Sequence, residues 1–215
     1  VFKDCHILSY SLENVPQEVA DAQAKVFAKF GIPLEQRRYP VDSEGWAPWK
    51  KCVDQVDQWV REQSGCIILV DVDCIPLSQK CITDTYLSVI RRNWLVGPAQ
   101  RCVTPEGHET QTLVYAGPAM LGFSSDLYEQ LDKPTLFSTS DTDVGGLFTV
   151  RAHKLGIPVR LLMPTACDVP KWKLYGDKLE FGLGTTFGSC LYHGFEARND
   201  ASRFLAKCKQ ILSKP

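Results

Sequence analysis

Cys66-Ile67-Ile68-Leu69-Val70-Asp71-Val72-Asp73 runs five apolar residues, mostly β-branched, straight into two carboxylates separated by one valine. An apolar run of this length without alternation reads as a strand of a parallel sheet, because such strands are covered on both faces. Ligands of open α/β sheets bind beyond the carboxyl ends of the strands, which is where Asp71 and Asp73 fall. Side chains two apart on an extended strand point the same way, so both carboxylates can face one cation. A hard divalent ion, Mn²⁺ or Mg²⁺, held by one or two carboxylates together with phosphate oxygens, suits such a pair. The plainer reading is a pair of solvated turn residues ahead of Pro76.

Working outward, two βα units precede this strand. Residues 5–10 form a short strand that ends in the polar loop Ser9-Tyr10-Ser11, and Asn14 and Pro16 open a helix whose Val19, Ala22, Val26 and Phe30 recur at helical spacing up to Gly31. Residues 34–39 read as a second strand carrying Arg37 and Arg38. A second helix over 48–63 buries Trp49, Val53, Val56 and Val60. A third helix over 77–92 and a strand from Leu95 complete a βαβαβ order, which argues for a parallel sheet with right-handed crossovers.

The second half has a different texture. A polar tip is expected at 101–111, then a small-residue stretch from Ala116 to Phe123, a short helix capped by Ser125-Asp126, and a helix over 144–155 capped by the 139–143 segment. Residues 159–163 read as a strand, 165–194 as an ordered loop lying over a site, and 201–213 as a last helix. No linker or repeat divides the 215 residues, so one domain is expected.

The balance of 24 basic and 25 acidic residues gives no argument for nucleic acid or an anionic membrane as the main partner. No apolar run reaches transmembrane length, and no signal-peptide layout is found, though the chain can be a domain of a longer protein. Nine cysteines are scattered without a CxxC pair. They read as small buried hydrophobes in a reducing, cytoplasmic setting rather than as zinc ligands.

Asp71-Val72-Asp73, at a strand end after two βα units, resembles the DxD motif of GT-A-fold glycosyltransferases, and the likeness continues along the chain. Ala116-Gly117-Pro118 resembles the small-residue turn under the donor sugar, Asp141 and Asp143 the acidic pair facing the reacting centre, and Tyr192-His193-Gly194-Phe195 the late histidine that adds a metal ligand. At this length the chain also resembles the compact glycosyltransferase domain encoded by chlorella viruses. The resemblance implies a GT-A-like α/β fold, a single Rossmann-like, mostly parallel mixed sheet flanked by helices, with a nucleotide-binding half at about 1–98 and a donor-sugar and acceptor half at 99–215. It further implies transfer of a sugar from a nucleoside diphosphate, UDP-linked as in many such families, to a glycan or glycoprotein.

The chemistry assigns roles beside that resemblance. A cation bridging two phosphates stabilises the departing diphosphate. Asp73 would bind it directly, Asp71 would bind it, its waters or the ribose, and His193 as neutral imidazole favours Mn²⁺ over Mg²⁺. Either Asp141 or Asp143 can take a proton from an acceptor hydroxyl or orient it, the other serving only as a helix cap; Asp143 is favoured for the chemistry. Ser9 and Tyr10 are candidates for the base, Arg38 and Lys50 for base, ribose or phosphate, and Gly117 for the floor. Trp172, Lys173 and Tyr175, with Gly182, Gly184 and Gly188, read as a mobile lid.

Three rivals share parts of this pattern. A haloacid-dehalogenase-like phosphatase would use Asp71 as nucleophile, but such enzymes usually place this strand first and carry a later Gly-Asp-x-x-x-Asp, whereas Gly176-Asp177 is followed by Lys, Leu and Glu. A nucleotidyltransferase would want a Gly-rich, basic first loop, which Ser9-Tyr10-Ser11-Leu12-Glu13 is not. A non-catalytic nucleotide-sugar or glycan-binding module stays open.

Overall fold

The computed structural model describes residues 2–45, 47–101, 114–139, 142–175 and 179–214. The polar tip at 101–111, apart from Arg101, falls outside these residues, as do Asp141 and the Gly176-Asp177 pair. In chain order the elements are β1 (Cys5–Leu12), α1 (Gln17–Lys29), β2 (Glu35–Tyr39), α2 (Ala47–Glu62), β3 (Cys66–Asp71), β4 (Cys74–Pro76), α3 (Gln79–Arg92), β5 (Leu95–Arg101) and β6 (Val114–Ala116). Then follow β7 (Met120–Ser124), α4 (Ser125–Gln130), α5 (Gly146–Lys154), β8 (Val159–Leu162), β9 (Pro164–Lys173), β10 (Glu180–Phe187), β11 (Leu191–His193) and α6 (Ser202–Leu212).

The main sheet has seven strands in the order β2-β1-β3-β7-β5-β6, with β8 also on β5. β2, β1 and β3 are parallel neighbours, β7 runs against both β3 and β5, and β8 is parallel to β5. The chain is thus an α/β protein with a mixed, mostly parallel sheet flanked by helices. The simple βαβαβ expectation needs one correction: β5 does not lie beside β3, because β7 is inserted antiparallel between them.

β3 explains why its residues are apolar without alternation. Cys66 to Val70 are each 0% exposed. Cys66, Ile68 and Val70 join the core formed with α1, α3 and α6, through residues such as Val19, Phe27, Ile82 and Phe204. Ile67 and Leu69 join the opposite core with Val53, Val56, Trp59 and Phe148 from α2 and α5. The pleat sends alternate side chains to opposite faces, and both faces are covered.

A second sheet, β4-β11-β10-β9, is antiparallel throughout. It replaces most of the loop expected at 165–194. β9 is an edge strand, exposed along most of its length and carrying Pro164 and Pro170, so it shows no apolar period. Gly182 marks a register shift in the β9–β10 pairing: a Cβ there would lie 2.3 Å from the Val169 carbonyl oxygen. That glycine serves close backbone approach, and the expected lid is a paired hairpin whose Trp172 packs on Phe181 and Phe195.

Two helix starts also differ from expectation. Ser124, one residue earlier than expected, caps α4 by accepting a hydrogen bond from the Leu127 N–H at 3.0 Å. α5 begins at Gly146 behind a left-handed Gly145, with no side-chain cap. The Thr139 and Thr142 hydroxyls instead bond each other, closing their own turn.

Because Leu69 is fully enclosed, Leu69→Ala is expected to cost about 2–5 kcal/mol, read as a lower urea midpoint with an unchanged slope. A loss below about 1 kcal/mol would contradict the central place of β3.

Candidate metal and nucleotide site

β3 ends at Asp71, and Val72-Asp73 form a turn before β4. The two carboxylates therefore do not project from one extended strand, as the sequence pattern suggests. They converge because the turn carries the chain from the main sheet into the second one. There β4 pairs with β11, setting His193 opposite Cys74. Ligand atoms of Asp71, Asp73 and His193 all lie within 4.8 Å of one another. His193 Nε2 is 3.0 Å from Asp73 Oδ1 and 3.6 Å from Asp71 Oδ2.

Backbone groups hold this turn in place. The Gly194 N–H donates to the Asp73 carbonyl at 2.8 Å, the Ala197 N–H to Asp73 Oδ2 at 3.3 Å, and the Asp71 N–H to the Ala119 carbonyl at 3.1 Å. Between them the chain passes through Phe195 and Glu196, both at positive φ, 56° and 55°. Two successive non-glycine residues in the left-handed region store strain, and here they wrap Asp73.

Gln23, a residue the sequence pattern did not single out, braces the turn from α1. Fully buried, its amide donates to the carbonyls of Asp71 (2.7 Å) and Cys74 (2.9 Å) and accepts from Gln36 Nε2 (2.9 Å). A buried amide is costly unless satisfied, and this one spends both donors on the residues flanking Val72-Asp73. The available signal was a lone polar residue on the apolar face of a helix.

The electrostatics suit a cation. Burial pushes the Asp71 carboxyl up to about 6, with Asp73 adding to the rise and His193 opposing it. The side chain keeps 26% of its surface open to the cleft. Burial also works on Asp73, but the His193 charge and hydrogen bond and the Ala197 N–H outweigh it and hold that carboxyl low. His193 is raised by Asp73 and Asp71 against its own burial. Two ligand atoms about 3 Å apart match neighbouring positions around an ion held at just over 2 Å, and a carboxylate-imidazole set suits a borderline divalent metal.

The two carboxylates line a cleft together with Tyr10, Ser11, Leu12, Trp49, Ala197 and Arg198, among others, while His193 is buried and outside that lining. A neighbouring cavity shares Leu12, Trp49 and Arg198 and reaches Val144. Asp143, half-buried, precedes Val144 in the chain. Its Oδ1 accepts the Val144 N–H at 2.8 Å, and its Oδ2 lies 3.3 Å from the Tyr115 hydroxyl. Gly117 packs beneath the same group: a Cβ there would meet the Gln100 side chain at 2.3 Å, and Gln100 Oε1 lies 3.3 Å from the Tyr115 hydroxyl.

Other expected contacts lie elsewhere. Tyr10 borders the cleft but is 3% exposed and stacked on Trp49, centroids 6.1 Å apart. Trp49, partly exposed, lines the cleft beside it. Ser9 is buried and does not line it, whereas Ser11 does. The Arg38 guanidinium is taken up by Gln17 Oε1 and the carbonyls of Glu13 (2.9 Å) and Val15 (2.6 Å), which fixes the β1–α1 loop. Lys50 pairs with Asp54 at 2.6 Å on the exposed side of α2. The exposed Arg198 borders both cavities, and among the described residues no carboxylate pairs with it. No helix among the described residues is long and apolar enough to cross a membrane.

No protein-family model and no curated protein matches the sequence. Among solved structures, the chain is similar to a mutant of Drosophila beta1,4-galactosyltransferase 7 in complex with manganese, UDP-Gal and xylobiose. That match has a TM-score of 0.46 and 13% identity, and covers 97% of this chain and 80% of the other. It is also similar to the glycosyltransferase GlyE of Streptococcus pneumoniae TIGR4 (TM-score 0.40, 10% identity, 75% and 45% covered). A third similarity is to a putative glucose-1-phosphate thymidylyltransferase from Bacillus anthracis in complex with a sucrose (0.37, 7%, 72% and 67%).

His193→Ala is expected to weaken Mn²⁺ binding at least as much as Gln23→Leu, for which loss of an outer brace implies roughly tenfold. Calorimetric titration with Mn²⁺ checks both, and an unchanged affinity in His193→Ala removes the imidazole from the shell.

Proposed function

We propose that the chain is a metal-dependent glycosyltransferase, moving a sugar from a nucleoside diphosphate, UDP-linked, to a glycan or glycoprotein acceptor. The observation that carries this reading is the convergence of Asp71, Asp73 and the buried His193, with both carboxylates lining a cleft at the carboxyl ends of β1 and β3. These three side chains would hold Mn²⁺, which when bound supplies the positive charge that stabilises a departing diphosphate.

The remaining roles belong to the residues around the cleft. Trp49, partly exposed in the cleft lining, is the aromatic side chain assigned to the base. Arg198, beside Asp73 and Trp49 in the cleft lining, offers a guanidinium to phosphate oxygens. Asp143, next in sequence to Val144 of the neighbouring cavity, is the group assigned to take or orient the acceptor hydroxyl's proton. Gln100 lies over Gly117 and makes the floor beside it. Asp73 is a poor proton donor for phosphatase chemistry, since one oxygen faces His193 and the other accepts the Ala197 N–H.

Titration with a panel of nucleoside diphosphates, with and without Mn²⁺, tests the reading. UDP is expected to bind only with metal present, and Arg198→Ala to weaken it by roughly 10- to 100-fold, the loss of one charge-assisted hydrogen bond. Indifference to every nucleotide in the presence of Mn²⁺ would sink the proposal. In a transfer assay, Asp143→Asn is expected to lower kcat by about 10²–10⁴ while donor affinity stays near wild type. A change confined to donor affinity would move Asp143 out of the proton-transfer role.

A further inference from the structure

Three arginines from two elements border one cavity beside α3. Arg91 and Arg92 come from the last turn of the helix and Arg160 from β8, with Trp94, Ser88 and Asp84 also in the lining. α3 ends at a left-handed Asn93 (φ 51°), and Trp94 follows directly. Arg92 Cζ stands 4.7 Å from the Trp94 ring centre, a cation–π contact that holds this guanidinium at the cavity.

Arg160 is held in place by a buried hydroxyl. Its Nη1 donates to Ser88 Oγ at 2.7 Å, and the Ser88 hydroxyl, 5% exposed, donates in turn to the Asp84 carbonyl at 2.8 Å. Donor and acceptor of that serine are both engaged, so the guanidinium is oriented rather than swinging free.

The charge gathered here is not cancelled. Among the described residues, no carboxylate pairs with Arg91, Arg92 or Arg160, and the Asp84 carboxylate in the lining is taken by Lys80 at 2.5 Å. The helix dipole favours cations in the last turn of α3. That accounts for Arg91 and Arg92, but not for Arg160, which a strand brings in. A cavity beside α6 is basic as well, but there Arg203 pairs with Asp168 at 3.5 Å.

This cavity lies away from the metal cluster. β3 and β5 each run against β7 and so point the same way, and β8 is parallel to β5. Asp71 ends β3, whereas Trp94 immediately precedes β5 and Arg160 is the second residue of β8. The arginines therefore gather at the amino edge of the sheet and the metal ligands at its carboxyl edge.

We propose that the cavity is a second anion site, built to take a phosphate monoester group, either soluble or carried on a lipid headgroup. Guanidinium forks match the oxygens of a phosphate, and arginines converging from two elements share its double charge. This inference does not depend on the transferase reading.

The test follows the tryptophan indole signals of the ¹⁵N-labelled full chain during titration with inorganic phosphate. It is run without divalent metal in about 0.15 M NaCl, where exposed charges more than about 8 Å apart are screened. The Trp94 signal, assigned with Trp94→Phe, is expected to shift and saturate. Arg91→Gln and Arg160→Gln are each expected to weaken binding by roughly tenfold or more, the loss of one charge-assisted hydrogen bond. Arg91 is exposed, so its variant reads the site rather than the fold. No saturable Trp94 shift, whether or not Trp49 in the cleft moves, overturns the proposal, as does an unchanged affinity in Arg91→Gln. Two further arms separate the sources. Sedimentation with vesicles of phosphatidylcholine and phosphatidic acid, but not of phosphatidylcholine alone, and lost in Arg91→Gln, assigns the group to a lipid headgroup. Saturable binding of glycerol phosphate without sedimentation assigns it to a soluble ester.

Discussion

The contact between Asp73 and His193, 3.0 Å apart and each under a tenth exposed, ties the turn that follows β3 of the main sheet to β11 of the second. A carboxylate or an imidazolium taken out of water alone would cost several kcal/mol. Each is tolerable because the other is present, and because the Ala197 N–H satisfies the second Asp73 oxygen. The turn at 71–73 exists where the chain leaves a central strand of one sheet and enters an edge strand of the other. Disturbing the Asp73–His193 pair would therefore loosen the crossing point of the fold as well as the site.

The surroundings keep that crossing rigid. Gln23 ties the carbonyls on both sides of the turn to α1, the Gly194 N–H ties Asp73 to the end of β11, and the strained Phe195-Glu196 step is held down by the Lys171–Glu196 ion pair at 2.7 Å. Strain of this kind persists only where packing over-determines it. Here Phe195 packs against His193, the rings tilted by 39° with centroids 3.7 Å apart, so the imidazole is held by an aromatic ring and by a carboxylate. Such pre-organisation suits a site that binds a cation without refolding around it.

The parts of the fold legible in the sequence are those set by local periodicity. β3 announced itself by five core residues in a row, and α1 and α2 by their apolar spacing. The parts that were not legible depend on which distant segment lands alongside. Nothing local to residues 120–124 says that they pair against β3 rather than at an edge. β9 looks like loop because an exposed edge strand with two prolines has no apolar alternation to display. At the site, the DxD pair and His193 were read from residue type and order, and the structure brings the three together. Trp49 read only as a helix's buried side, Gln23 as nothing in particular, and Arg198 not at all, because their relation to the cleft arises from tertiary packing. Arg38 shows the converse: a basic residue after a strand drew a ligand role, while its guanidinium is occupied by loop carbonyls.

The central claim is that one divalent ion sits between the Asp71-Asp73-His193 cluster and a nucleotide diphosphate. Pulsed electron-nuclear spectroscopy of Mn²⁺ bound to the protein with UDP addresses it directly, since the ion reports nuclei in its own coordination shell. The account predicts a ¹⁴N coupling that disappears in His193→Gln, together with a ³¹P coupling from the diphosphate. Bound Mn²⁺ with neither coupling would contradict it.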